Sequence, residues 1–66
     1  MNDNNTMDED WVIKIKYKGE CKYIALSDGT TIHFSSRQVA QRYFREWRAT
    51  RGIEKGDIKV YYIKEQ

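Results

Sequence analysis

Lysine, tyrosine and histidine side chains recur among apolar residues in the stretches WVIKIKYK, CKYIALS, TTIHF and IKVYYIK of this 66-residue chain. An ammonium group offsets the charge of a phosphate, and the face of an aromatic ring accepts a stacked base. When such side chains alternate with apolar ones, a β-strand places them on one face of a sheet. The pattern predicts nucleic-acid binding through this face, with contacts from Lys14, Lys16, Tyr23, His33, Lys59 and Tyr61.

A second group of basic residues lies in FSSRQVAQRYFREWRATRG, residues 34–52. On a helix of 3.6 residues per turn, Arg37, Arg45 and Arg48 fall on one stripe that is opposite to the apolar face or flanks it. Exposed helix faces are usually charged, so the stripe is either an ordinary solvated surface or a site for a polyanion. Both interpretations stay open, and the three arginines form an alternative basic site.

Residues that catalyse reactions or bind metals are sparse. The chain has one histidine and one cysteine, and it lacks glycine-rich phosphate loops and the spacings of catalytic triads or zinc ligands. The sequence therefore predicts a protein that is not an enzyme, with no catalytic residue, cofactor or metal ion. The longest apolar run, residues 23–26, is too short to cross a membrane, so we expect no membrane partner.

Charge is divided unevenly along the chain. Residues 1–10 contain four acidic residues and no basic one, whereas residues 11–66 contain all twelve lysines and arginines and six acidic residues. The first segment has neither the basic nor the apolar region of a secretion signal, and the lone Cys21 forms no internal disulfide, which favours a cytoplasmic protein. We predict a disordered acidic tail over residues 1–10 and one small domain over residues 11–66.

Alternation of apolar and polar residues predicts four strands, at residues 11–18, 21–27, 30–34 and 58–64. The first two form a hairpin whose two-residue loop is Lys18-Gly19 or Gly19-Glu20. The next turn, residues 27–29, is expected to be a three-residue bulged turn, because a loop of three residues places the flanking apolar residues on the same face of the sheet. Those residues are Ile24, Leu26, Ile32 and Phe34.

A helix is predicted between Ser35 and Gly52. Ser35 as N-cap and Gln38 three residues later have the sequence of a capping box. Phe34 is placed to pack on Val39 as a hydrophobic staple, and Gly52 is expected to end the helix in a left-handed conformation. The apolar face of this helix consists of Val39, Ala40, Tyr43, Phe44 and Trp47.

These elements predict an α+β domain with the order β-β-β-α-β. A four-stranded, mainly antiparallel sheet carries one helix on one face, and a right-handed crossover returns the last strand parallel to the first, in the order 3-2-1-4. One helix is too few to cover both faces of the sheet. The other face is expected to expose Val12, Lys14, Lys16, Tyr23, Thr31, His33, Lys59, Tyr61 and Ile63.

Three predicted strands followed by a helix, with TTIHFSSRQVAQRYF between them, cover residues 11–51. This arrangement resembles the arm-binding domains of phage integrases and similar DNA-binding modules, in which the exposed sheet face enters the major groove. Those families carry arginines and a tryptophan on the reading strands, where this chain has Lys14, Lys16 and Lys22. The resemblance is one of topology alone, and we assign no family from it.

A second hypothesis belongs to a different class of function. An uncovered face with Tyr23, Tyr61 and Ile63 beside lysines also suits a small regulator or inhibitor that binds an acidic surface of a host protein, of the kind that phages and mobile elements encode. Such binding should depend more on the tyrosines than on lysine charge. Self-association through the same face is a third way to cover it.

Overall fold

A three-stranded antiparallel sheet with one α-helix forms the described part of the chain, which is residues 10–65 of the computed structural model. Its elements are β1 Asp10–Tyr17, β2 Glu20–Tyr23, α1 Arg37–Thr50 and β3 Ile58–Glu65, with a short 3-10 turn at Lys55–Asp57. The sheet order is β2-β1-β3, so β1 is the central strand. The predicted α+β class is confirmed. Of the predicted tail, residues 1–9 lie outside the described residues, and Asp10 is the first residue of β1.

The core lies between α1 and one face of the sheet. Ile13 and Ile15 of β1 are 0% and 1% exposed, as the period-two alternation of this strand predicts. Because so small a domain has few buried residues, each of these side chains supports a large share of its stability. The buried cluster consists of Ile13, Ile15, Ile24, Phe34, Ala40, Phe44, Ile53 and Ile58.

The β1–β2 hairpin has its two-residue loop at Lys18-Gly19. Tyr17 lies opposite Glu20, and the loop residues have φ angles of 52° and 82°. A type I′ turn needs positive φ at both central positions, and glycine adopts this conformation without steric cost. One of the two predicted loop positions is therefore confirmed.

The bulged turn that the sequence predicts at residues 27–29 is also confirmed. The Leu26 N–H donates to the Thr30 carbonyl at 2.8 Å, and Gly29 has a φ of 94°. The Thr30 N–H donates to Asp28 Oδ1 at 2.9 Å, and this hydrogen bond holds the pKa of the Asp28 carboxyl below its ordinary value. The turn is thus fixed by a backbone bond and by a side-chain bond.

The predicted third strand, residues 30–34, is wrong, and so is the four-stranded sheet. Within residues 10–65 this segment makes isolated bridges, one of which joins Phe34 to Trp11. If the register of β1 and β2 continued, Leu26 would lie opposite Trp11, but Phe34 occupies that place. The chain from 25 to 33 therefore turns away from the edge of β1 before it returns. Leu26 is therefore 54% exposed, although the sequence placed it in the core.

β3 is antiparallel to β1, so the predicted parallel return is also wrong. The bridge between Phe34 and Trp11 puts the start of α1 near the start of β1. The fourteen residues of α1 span about 21 Å, which is close to the length of β1, about 27 Å. The chain therefore reaches the far end of β1, where Ile58 lies opposite Tyr17, and β3 runs back from there.

The N-terminus of α1 is capped one residue later than predicted. Ser36 is the N-cap, and its Oγ accepts a hydrogen bond from the Val39 N–H at 3.2 Å. Val39, not Gln38, therefore occupies the third helical position, and the predicted capping box does not form. Ser35 and Ser36 are adjacent serines, so the sequence pattern alone assigned the cap to the wrong one.

Replacing Ser36 with alanine is expected to destabilise the protein by about 1 kcal/mol, because the Val39 N–H loses its acceptor. Ser35→Ala is the matched control and should change the free energy of unfolding by less than about 0.5 kcal/mol. Urea denaturation followed by circular dichroism measures both variants. A larger loss for Ser35→Ala would contradict the cap that the structure assigns.

The C-terminus of α1 ends as the sequence predicts. Gly52 has a φ of 65°, its N–H donates to the Ala49 carbonyl at 3.1 Å, and the Ile53 N–H donates to the Arg48 carbonyl at 3.2 Å. This pair of bonds is a Schellman motif. It turns the chain so that Ile53 enters the core, where it is 8% exposed.

The predicted apolar face of α1 is correct only in part. Ala40 and Phe44 are buried, whereas Val39 and Tyr43 are 41% and 39% exposed. The side of the helix that packs on the sheet is therefore the one that carries Ala40 and Phe44. Phe34 packs on Tyr43, with ring centroids 5.2 Å apart, and not on Val39 as the predicted staple required.

Candidate nucleic-acid interface

Two rows of side chains cross the three strands on the face of the sheet opposite α1. In the first row, Lys14 of β1 lies directly opposite Tyr23 of β2 and Tyr61 of β3. Both tyrosines are exposed, at 42% and 47%. Lys14 Nζ lies 6.0 Å from the centroid of the Tyr23 ring, at the outer limit of a cation–π contact. One row thus holds a lysine between two exposed aromatic residues.

In the second row, Lys16 lies opposite Cys21 of β2 and Lys59 of β3. Like charges directly opposite each other on a sheet repel. In the part of the chain that the structure describes, neither lysine forms an ion pair with a carboxylate. An anion bound between them would relieve this repulsion. We call the following set the lysine–tyrosine face: Lys14, Lys16, Tyr23, Lys59 and Tyr61.

His33, the sixth residue of the predicted site, lies away from the lysines. Its Nδ1 is hydrogen-bonded to Oδ1 of Asp10, the first residue of β1. Asp10 is six residues before Lys16, about 20 Å along an extended strand, and it lies opposite Glu65. Two carboxylates repel phosphate, so this end of the sheet is less suited to a polyanion. The structure therefore brings together five of the six predicted residues and leaves His33 apart from them.

Val12 was predicted to be exposed on this face, and that prediction is wrong. Its side chain is 1% exposed although it points away from α1, like that of Lys14. Its pairing partner Ile63 is partly buried, and so is Thr31. The end of the face near the start of β1 is therefore covered, and the accessible end is the lysine–tyrosine face.

The alternative basic site lies on the opposite side of the sheet. Arg45 and Arg48 line a cleft of about 720 Å³ between α1 and β3, together with Gln41 and Lys55. We call this cleft the α1–β3 groove. Its apolar and aromatic lining consists of Phe44, Ile58, Val60 and Tyr62.

Two of the three arginines of the helix stripe, Arg37 and Arg48, are engaged in local contacts. The Arg37 guanidinium lies 5.7 Å from the centroid of the Tyr62 ring, and Arg48 Nη1 donates to the Ile53 carbonyl at 2.9 Å. Burial raises the pKa of the Tyr62 hydroxyl, and the positive charges of Arg37 and Arg45 partly oppose this increase. Arg37 therefore has a structural contact, with the ring of Tyr62.

Sequence reasoning did not identify the α1–β3 groove. It treated the arginines as a stripe beside the apolar face and did not connect them with Lys55. A signal was present, because Phe44 and Arg48 are four residues apart and side chains at this spacing are neighbours on a helix. That spacing predicts a surface where an apolar and a basic side chain meet.

Comparison of the chain with protein-family models, curated proteins and solved structures found no match. Among residues 10–65, no three histidine, cysteine, aspartate or glutamate side chains are grouped so that they could hold a metal ion. No helix within the same residues is long and apolar enough to span a membrane.

Proposed function

We propose that the protein binds nucleic acid through the lysine–tyrosine face. The observation that carries this proposal is the like-charged pair Lys16 and Lys59 beside the row Tyr23, Lys14 and Tyr61. Ammonium groups that have no carboxylate partner among the described residues are available to phosphates. Exposed tyrosine rings next to them are available to stack on bases.

The spacing of the two rows suits a single strand of nucleic acid. Adjacent β-strands lie about 4.8 Å apart, so Tyr23 and Tyr61 are separated by two spacings, about 10 Å. The lysine row lies one side-chain repeat further along the strands, about 7 Å away. A single strand that crosses the sheet along these rows can place bases over the tyrosines and phosphates over the lysines. The bases of a duplex are already stacked on each other, which favours the unpaired strand.

Titration of the protein with a thymidine oligonucleotide of about ten residues tests this proposal by amide chemical shifts. We expect shifts at Lys14, Lys16, Tyr23 and Tyr61 at low salt, and their loss at high salt because phosphate contacts release counterions. Replacing Tyr61 with alanine should weaken binding by about 1 to 3 kcal/mol, the usual contribution of one stacked base. A duplex of the same length, titrated in parallel, measures the preference for unpaired bases.

Tyr43→Ala is the matched control for Tyr61→Ala. Tyr43 is exposed to a similar degree, at 39%, but it lies on α1. Its replacement should leave affinity for the oligonucleotide within about twofold, since it touches no part of the lysine–tyrosine face. Shifts confined to α1, or no shifts at low salt, would contradict the proposal.

A further inference from the structure

The outer edge of β3 borders the α1–β3 groove, and within residues 10–65 no strand pairs with it. Hydrogen bonds fix the direction of the backbone groups in the sheet. Trp11 exchanges backbone bonds of 3.0 and 2.8 Å with Phe34, and the Ile13 carbonyl accepts from the Ile24 N–H at 2.9 Å. Trp11 and Ile13 therefore direct their backbone groups away from β3. Backbone direction alternates along a strand, so the intervening residues of β1 bond to β3.

The same alternation decides which backbone groups of β3 face the groove. Lys59, Tyr61 and Ile63 lie opposite the β1 residues that bond to β3, so their N–H and C=O groups are used within the sheet. The alternating residues direct their backbone groups outward, and their side chains line the groove. These residues, Ile58, Val60 and Tyr62, offer three N–H and three C=O groups beside an apolar surface.

All the charged residues that line the groove are basic. Arg45, Arg48 and Lys55 are among its lining residues, and no lining residue is acidic. Arg48 is engaged with the Ile53 carbonyl, whereas Arg45 and Lys55 are exposed. A ligand with carboxylates would therefore meet a cation from α1, Arg45, and one from the turn before β3, Lys55.

We propose that an extended, acidic segment of a partner protein binds in the α1–β3 groove as a fourth strand on β3. Its backbone pairs with the outward groups of Ile58, Val60 and Tyr62, over a length of about 14 Å. Every second side chain of the segment then points toward α1. An apolar side chain at such a position packs on Phe44, and a carboxylate reaches Arg45.

Two other occupants fit the groove less well. A second copy of the protein, paired edge to edge through β3, would bring the cations of both grooves close together, and like charges oppose this contact. A nucleic acid would use the cations, but its phosphodiester backbone does not present alternating donors and acceptors, so it cannot pair with the edge of β3 as a strand does. An acidic peptide satisfies both the charge and the backbone groups.

Selection from a random octapeptide library against the full-length protein tests the proposal. We expect enriched peptides with carboxylates and apolar residues at alternate positions and no central proline, because proline cannot pair as a strand there. The strongest peptide should shift the amides of Ile58, Val60 and Tyr62. A copy of this peptide that is N-methylated at alternate amides on the pairing edge should lose binding by about tenfold or more, because it lacks the N–H donors.

Variants of the protein separate this site from the lysine–tyrosine face. Arg45→Glu with Lys55→Glu should weaken the selected peptide by about tenfold or more, since both cations become repulsive. Lys14→Glu with Lys16→Glu makes the same change of net charge on the other face and should leave peptide affinity within about twofold. Arg48 is kept in both, because its bond to the Ile53 carbonyl supports the fold.

Four results would overturn the proposal. The first is a selection that enriches no peptide, and the second is a selected peptide whose affinity survives N-methylation. The third is a change of the β3 amides on dilution of the protein alone, which would assign the edge to a second copy. The fourth is a change of the same amides when Asp3, Asp8 and Glu9 are replaced with their amides, since that would assign the groove to the chain's own acidic segment.

Discussion

Reversing the charge of Lys14 and Lys16 together, to glutamate, is expected to lower affinity for single-stranded nucleic acid by more than about tenfold at low salt. Each lysine that neutralises a phosphate contributes about 0.7 to the slope of log affinity against log salt on a single strand, so the slope should fall by about 1.4. The new carboxylates add repulsion to this loss. Fluorescence anisotropy of a labelled thymidine oligonucleotide across a salt series measures both quantities.

The matched control is Arg37→Glu with Arg45→Glu, which changes net charge equally on the opposite side of the sheet. At the physiological end of the salt series, about 0.15 M, this pair should reduce the affinity only weakly, because charges more than about 8 Å away are screened. Equal losses for both pairs would mean that net charge alone governs binding. A loss confined to the arginine pair would move the nucleic-acid site to α1.

Replacing Ile13 with alanine is expected to cost about 2 to 5 kcal/mol, because the residue is fully buried in the centre of the core. A core in a domain of this size rarely supplies more than about 3 to 5 kcal/mol in total. The variant should therefore be largely unfolded at room temperature, with collapsed amide dispersion and no cooperative urea transition. Ile13→Val, which removes one methyl group, should lose only about 0.5 to 1.5 kcal/mol and stay folded.

Leu26→Ala is the informative control for Ile13→Ala. Alternation along the sequence gives Ile13 and Leu26 the same expected place in the core, whereas the structure leaves Leu26 54% exposed. Its replacement should change stability by less than about 0.5 kcal/mol. A cost of several kcal/mol at Leu26 would mean that the chain from 25 to 33 packs against the sheet after all.

Local features of the fold were predictable because their causes are local. The positive φ angles at Gly19, Gly29 and Gly52 follow from turn chemistry within a few residues, and the facing of Ile13 follows from period-two alternation. The bridge between Phe34 and Trp11 was not predictable in this way. It depends on where a hairpin leaves the edge of β1, and that is decided by packing between residues far apart in the chain.

For the candidate site, the alternation of side chains along a strand predicted on which side of the sheet a residue lies, but not whether it is covered there. Parity correctly placed Lys14, Tyr23 and Tyr61 on the face away from α1, because each belongs to a regular strand. The prediction failed for Val12, because alternation shows on which side of the sheet a residue lies and not what covers that side. The groove beside Arg45 was missed because the rotation of α1, which turns Phe44 inward, is set by the whole core.

β1 is paired on both sides, but its two partners are synthesised at different times. β2 follows it directly, whereas residues 18–57 are made before β3. The β3-facing edge of β1 therefore has no partner in this sheet until residues 58–65 have been made. Lys14 and Lys16 lie on that edge, and lysines at an unpaired edge oppose pairing with the same strand of another chain. We therefore expect these two cations to disfavour pairing of β1 with another chain for as long as β3 is absent.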